Sequence, residues 1–163
     1  MKMIIYHGSN MIVNQPRIIE QNRFLDFGTG FYTTTNKSQA ENFTIKVAKR
    51  RGGIPILNIY EIDDNLLNYE IKEFEKPNEE WLDFVSDNRN GVCINIEYDL
   101  IIGPVANDDV YRTFQLYSLG LFTKEQALET LKIKQLYNQY VFKTETIMSN
   151  LKFIRSVEVN FNE

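Results

Sequence analysis

Short apolar segments of strand character are scattered among helix-like segments without a regular strand–helix–strand rhythm. This limits the fold more than any other feature of the sequence. A doubly wound parallel sheet needs that rhythm, and its absence predicts an α+β chain. Strand candidates are Lys2–His7, closed by Gly8-Ser9-Asn10, then Gly30–Thr35, Ile54–Ile62, Tyr98–Ile102, Tyr137–Lys143 and Lys152–Val159. Helical spacing is read at Ser38–Arg51, with Ala40, Phe43, Val47 and Ala48 inward. There Ser38 and Glu41 fit a capping box. Asn78–Asn88, Asp108–Leu119 and Thr144–Leu151 are further helix candidates, and Thr123–Lys134 is one that opens with its own Thr123/Gln126 capping box. Asp64–Lys76 reads as acidic and irregular. No repeat or linker divides the 163 residues, so a single domain is expected.

A chain of this size buries roughly two thirds of its extended surface, enough for a core without staples. The lone cysteine, Cys93, excludes a disulfide framework and a multi-cysteine metal site, and it fits a reducing compartment. The lone histidine, His7, excludes a site of two or more imidazoles, and no metal is expected. The apolar runs fall far short of the roughly 20 residues that cross a bilayer, and the N-terminus lacks a signal-peptide pattern. A cytoplasmic protein without a membrane partner is expected.

Net charge is −4, which argues against a dedicated nucleic-acid binder. The charge is uneven. Residues 1–51 carry 8 basic and 3 acidic side chains, residues 52–130 carry 5 and 16, and residues 131–163 carry 5 and 3. The acidic middle, including Asp63–Glu80, reads either as a solvated face or as a protein-contact surface. The basic ends, if adjacent in the fold, would favour an anionic ligand.

Three segments hold residues capable of chemistry. His7 ends a strand beside Gly8; a lone histidine is more often structural than functional, but here a ring with two hydrogen-bonding nitrogens adjoins backbone that a glycine leaves approachable. Gly28-Thr29-Gly30-Phe31-Tyr32 enters a strand rather than a helix and lacks a third glycine, so it is not a dinucleotide fingerprint. It is either a turn before core aromatics or a device that positions Tyr32 as a flat stacking surface. Asn138-Gln139-Tyr140 lies on a late strand, with Gln139 and Tyr140 on opposite faces.

In this order the segments resemble the ADP-ribosyltransferase superfamily of the diphtheria-toxin and poly(ADP-ribose) polymerase type. That class has His-Gly ending a first strand, G-x-G-x-Tyr entering a second and Asn-Glu-Tyr late in the chain. The segment Ser38–Phe43 is similar to the helix that brings a second ring to the nicotinamide, with Phe43 where a tyrosine is usual. Asp26–Thr34, Trp81–Arg89 and Gly103–Phe114 also resemble a small bacterial family of predicted toxins paired with a small antitoxin protein. Residues 64–95 have no counterpart and read as a family-specific insertion.

The resemblance implies a single-domain ADP-ribosyltransferase-like fold of split mixed sheets with peripheral helices. It implies NAD as a substrate and mono-ADP-ribosyl transfer to a macromolecular acceptor. Under it, the Gly8 backbone holds the nicotinamide carboxamide, His7 bonds the adenosine ribose, and Tyr32 and Phe43 sandwich the nicotinamide. Ser9 or Ser38 adds a carboxamide contact, with the choice open, and Arg23 meets the diphosphate. Gln139 departs from the pattern, because an amide supplies no charge to an oxocarbenium-like transition state. Asp109, or less readily Glu145, is the substitute carboxylate; Asp108 is also a natural helix cap. The competing reading is an interaction module on the same fold, catalytically weak or inactive, that binds NAD or a protein.

Overall fold

The alternation that marks the first segment runs two residues past His7, giving strand β1 (Lys2–Ser9) in the computed structural model. The structure describes residues 2–18, 27–76, 78–89, 91, 98–104, 108–132 and 138–160. Among these, β2 (Phe31–Thr34), α1 (Lys37–Arg51), β3 (Ile56–Asp63), β4 (Ile71–Glu73) and α2 (Glu79–Arg89) follow in order. Then come β5 (Leu100–Pro104), α3 (Asp108–Ser118), α4 (Lys124–Lys132), β6 (Asn138–Phe142), α5 (Glu145–Met148) and β7 (Lys152–Glu158). The fold is a mixed α+β domain, with one seven-stranded sheet in the order β4-β5-β6-β2-β1-β3-β7. All neighbours are antiparallel except β4 and β5, which are parallel. The expectation of split sheets is therefore corrected: hydrogen bonding is continuous, although it narrows to one position between β1 and β2.

The centre of the sheet is covered on both faces. Every residue of β5 is buried, which its unbroken Leu-Ile-Ile run reflects. One face carries Ile101 and Val141 against Trp81, Leu82 and Val85 of α2 and Ala127 of α4, joined by Phe27 and Phe74. The other carries Ile5, Phe31, Tyr60, Leu100, Ile102 and Phe142 against Ile147 and Met148 of α5. The step from Val141 to Phe142 thus moves from one core cluster to the other, as strand pleating requires. Further along the first face, Ala40 of α1 packs on Leu57 and Ile59.

Local signals explain most of the helix ends. Thr123 and Gln126 form the expected reciprocal cap: Gln126 N–H donates to Thr123 Oγ1 at 3.1 Å and Thr123 N–H to Gln126 Oε1 at 2.8 Å. At α1 the cap is Asn36 instead of Ser38. Its Oδ1 accepts from Gln39 N–H at 2.9 Å, and Ser38 is exposed in the first turn. Asparagine is as good an N-cap as serine; within α1, Thr44 is buried and Phe43 is exposed. Strand β4 lies within the stretch read as irregular. It is only three residues long, too short for a periodic signal, and the parallel register with Leu100–Ile102 holds it.

Trp81 is fully buried, and its Nε1–H donates to the Pro104 carbonyl at 3.0 Å. Trp81→Ala should lower unfolding stability by about 3–5 kcal/mol. Leu67→Ala, at an 89% exposed position, should change it by less than about 0.5 kcal/mol. Urea unfolding followed by circular dichroism measures both.

Candidate functional site

Strand β1 pairs with β3 along its whole length, and β2 with β6 along all of its own. Between β1 and β2 the register is a single position, Tyr6 opposite Thr34. Ladder parity shows which backbone groups face this seam. Val159 N–H donates to the Pro55 carbonyl, so alternation turns the backbone groups of His7 and Ser9 toward β3 and those of Gly8 toward β2. Lys143 N–H donates to the Asp99 carbonyl, and the same counting turns Tyr32 and Thr34 toward β1. A continued ladder would therefore couple Gly8 with Tyr32.

The ladder stops there, and His7 Nδ1 lies 2.7 Å from the Tyr32 carbonyl oxygen. A carbonyl only accepts, so Nδ1 carries the proton and a neutral ring presents Nε2 as an acceptor. Burial holds the His7 pKa below its ordinary value, partly opposed by the bond to Tyr32. The ring stacks on Phe31, with centroids 4.2 Å apart. His7 thus lies on the Phe31 face of the sheet, whereas Tyr32 packs against the Trp81 cluster on the other.

Gly8 is a glycine because α1 lies on it. A Cβ there would stand 2.8 Å from the Ala40 carbonyl oxygen and 3.1 Å from Thr44. The reading that its missing side chain admits a ligand is corrected accordingly. The helix fills that space, and what faces the seam is the strand edge. Past Gly8, the buried Asn58 secures the chain after β1. Its Oδ1 accepts from Val13 N–H at 2.9 Å, and its Nδ2–H donates to the Met11 carbonyl at 3.1 Å.

Two observations orient α1. One flank, with Glu41, Ile45 and Lys49, borders an open groove against Glu158–Asn160 at the end of β7. The opposite flank faces β2, where Gln39 Oε1 lies 3.3 Å from Thr34 Oγ1. Phe43 is one turn beyond Gln39 on that same flank. Four helical residues advance about 6 Å, and two strand residues about 6.7 Å. Phe43 is thereby level with Tyr32, consistent with Ala40 and Thr44 lying over Gly8. It is 45% exposed, so its ring is available to a ligand and is no part of the core expected for it.

The Tyr32 hydroxyl is committed to the turn before β2. It donates to the Gly28 carbonyl at 2.6 Å and accepts from Phe27 N–H at 3.0 Å. Lys143 Nζ donates to the Phe27 carbonyl at 2.7 Å from beneath. Gly28 has φ +77°, and Asn88 Oδ1 and Lys143 Nζ each lie 3.2 Å from where its Cβ would be. Burial lowers the Lys143 pKa to about 8. Neither Lys143 nor Asn58 was legible as functional; a lysine closing an apolar strand and an asparagine within one are ordinary sequence features.

Gln139 is buried in register with Thr34 and Gly103, on the face that Tyr32 occupies. His7, Gly8, Tyr32 and Gln139 therefore sit on three adjacent strands, with Phe43 above. Ser9 ends β1, half-buried. Glu145 Oε1 accepts from Ile18 N–H at 3.0 Å, which commits it to a loop contact. Asp109 is in the first turn of α3, with its side chain outside the described residues, as are Arg23 and Cys93 altogether. Part of the acidic stretch is structural: Lys72 pairs with Glu80, and Lys124 pairs with Glu79 and Asp83 at 3.5 and 3.0 Å. Among the described residues no cluster of three His, Cys, Asp or Glu suits a metal. No helix among them is long and apolar enough to cross a membrane.

A family model described as a protein of unknown function (DUF3990) matches residues 3–153. No curated protein and no solved structure matches the chain.

Two titrations follow. Because the unfolded chain takes up a proton near pH 6.5 that folded His7 resists, stability should fall as pH drops below about 6.5. His7→Asn should remove that slope, since no other histidine is present; urea midpoints between pH 5 and 8 test this. Lys143, neutral in the fold above about pH 8, should make wild type gain stability between about pH 8 and 10.5 relative to Lys143→Met.

Proposed function

The chain belongs to the DUF3990 family, and we propose that it binds NAD and transfers single ADP-ribosyl units to a macromolecular acceptor. The observation that carries this reading is the seam. His7 occupies the Tyr32 carbonyl, and the Gly8 N–H and C=O face β2 where the ladder is not continued. A primary carboxamide has one acceptor oxygen and an NH2 donor, and it matches such a donor–acceptor pair edge-on. Tyr32 and Phe43 flank the seam at one level, which suits a flat aromatic ring beside the carboxamide. His7 Nε2, an acceptor, suits a ribose hydroxyl.

In the reaction, the bond between ribose C1′ and the nicotinamide ring nitrogen breaks, and its electron pair leaves with nicotinamide. The acceptor heteroatom forms the new bond to C1′ and releases its proton to solvent. The chain's contribution is positioning and electrostatic complementarity. Gln139 accepts a hydrogen bond from the adjacent ribose but adds no charge. Transfer is accordingly slow and stops at one unit, unless Asp109 supplies a carboxylate. The same reading carries a toxin role with a small antitoxin protein as partner.

The test is NAD labelled on its adenine side, scored for labelled protein or nucleic acid and for released nicotinamide. Wild type should show one or both, and His7→Ala should bind no NAD. Gln139→Glu should raise transfer on the order of 10²-fold, the usual worth of one well-placed electrostatic group. Absence of transfer, NAD consumption and NAD binding in both wild type and Gln139→Glu would overturn the enzyme and favour a protein-binding module. The uncharged, buried Gln139 favours that second reading.

A further inference from the structure

Strand β7 is one edge of the sheet, and its outer side has no neighbouring strand among the described residues. Val159 N–H donates to the Pro55 carbonyl, so alternation points the backbone groups of Val157 and Val159 at β3 and those of Ser156 and Glu158 outward. Register with β3 is regular from Arg155 to Glu158 and shifts only further back, at Ile59/Tyr60. A regular edge with outward donors and acceptors is a template for a further strand. Val159 packs against Ala40, Leu57 and Ile59, so side-chain alternation puts Val157 and Val159 on the face that α1 covers.

The outer flank of α1 stands beside this edge. Helix and strand end enclose an open groove of about 680 Å³ with Glu41, Ile45 and Lys49 on its wall and Val159 on its floor. That size is within the roughly 300–1,000 Å³ of clefts that hold ligand groups. Glu41, Ile45 and Lys49 recur at every fourth residue, so an acidic, an apolar and a basic side chain form one row. Because Asn36 caps the helix, Glu41 is not used as a cap. Members of the row are about 6 Å apart along the helix, close to the roughly 6.7 Å between alternate residues of a strand. Helix α1 advances with β1, since Ala40 and Thr44 lie over Gly8 and Asn10 Nδ2–H donates to the Gly52 carbonyl just past the helix. Both intervening ladders are antiparallel, so α1 and β7 run in one direction.

We propose that the groove between α1 and β7 receives an extended segment of a partner protein, which adds antiparallel to β7 and carries an acidic, an apolar and a basic residue at alternate positions. Such a segment enters at the C-terminal end of α1. Its acidic residue meets Lys49, its apolar residue lies between Ile45 and Val159, and its basic residue meets Glu41. Charge complementarity thus sets the order of the three, and main-chain bonds to the strand edge supply sequence-independent affinity. With the apolar residue opposite Val159, the residue that follows it lies opposite Glu158 and exchanges both ladder bonds with it. This surface is on the flank of α1 away from the seam, so the proposal stands apart from the NAD reading.

The probe is the synthetic peptide acetyl-Ser-Asp-Thr-Val-Thr-Lys-Ser-amide, titrated into the isotope-labelled full chain and followed by NMR. The amide signals of Ser156, Glu158 and the Glu41–Lys49 row should move together, while those of Gly8 and Tyr32 stay in place. Methylating the backbone nitrogen of the second threonine removes the donor to the Glu158 carbonyl and should weaken binding roughly tenfold. A peptide with aspartate and lysine exchanged reaches the same charges only by parallel pairing, and should bind roughly threefold more weakly. Glu41→Lys combined with Lys49→Glu should reverse that preference, and the milder Lys49→Gln should weaken the original peptide. No movement at Ser156 and Glu158 with peptide up to about 5 mM, past the range of a weak contact, overturns the proposal. So does equal binding of the methylated peptide, or a preference that the charge-exchanged chain leaves unreversed. Movement of the same signals with protein concentration alone assigns the edge to a second copy of this chain, and likewise overturns it.

Discussion

An imidazole in place of a backbone N–H is the interaction on which the centre of this molecule turns. In a continuous antiparallel ladder the Tyr32 carbonyl would meet Gly8. Here it meets His7 Nδ1 at 2.7 Å. The substitution leaves β1 and β2 joined at Tyr6 and Thr34 and unladdered beyond. A buried carbonyl must have a partner, and the ring provides one without closing the strand edge. The same bond fixes the tautomer, so the fold sets which nitrogen is free for a ligand.

The elements around the seam pack closely on both of its faces. On one face α1 presses its backbone onto Gly8, tightly enough that no Cβ fits. On the other, Phe31 stacks on the His7 ring and joins a cluster of large buried side chains. Asn58 and Tyr60 secure the chain that leaves β1, through Met11 and Val13. The turn before β2 is pinned by the Tyr32 hydroxyl and by Lys143. Glycines that suggested ligand contact thus owe their identity first to packing. Gly30 is the clearest case, since a Cβ there would meet Val141 at 2.6 Å.

Much of the secondary structure was legible because it is locally encoded. The Thr123/Gln126 cap is a reciprocal pair within one turn of chain, and the apolar run of β5 marks a strand buried on both faces. Local patterns fail where a tertiary partner decides. Ser38 gave way to Asn36 as a cap because the Asn36 side chain reaches Gln39 N–H, which leaves Ser38 within the first turn. Phe43 looked like a core residue by spacing, yet it lies on the flank of α1 that meets β2 and stays exposed. Strand β4 has no signal of its own and exists through its parallel neighbour. Glu145, attractive as a carboxylate near the late strand, is bound to a loop at Ile18.

By itself the sequence determined that the chain is α+β, that it is free of disulfide staples, and that one histidine, one G-x-G turn and one late Asn-Gln-Tyr stand in a telling order. Those facts are written in composition, periodicity and turn chemistry, which act over a few residues. Only the tertiary structure decided that His7 and Gln139 lie on opposite faces, that Gly8 offers its edge in place of an open surface, and that Lys143 and Asn58 support the site. Each depends on strand register and on which flank of α1 meets β2. Those relations couple residues 25 to more than 100 positions apart, so no local pattern records them.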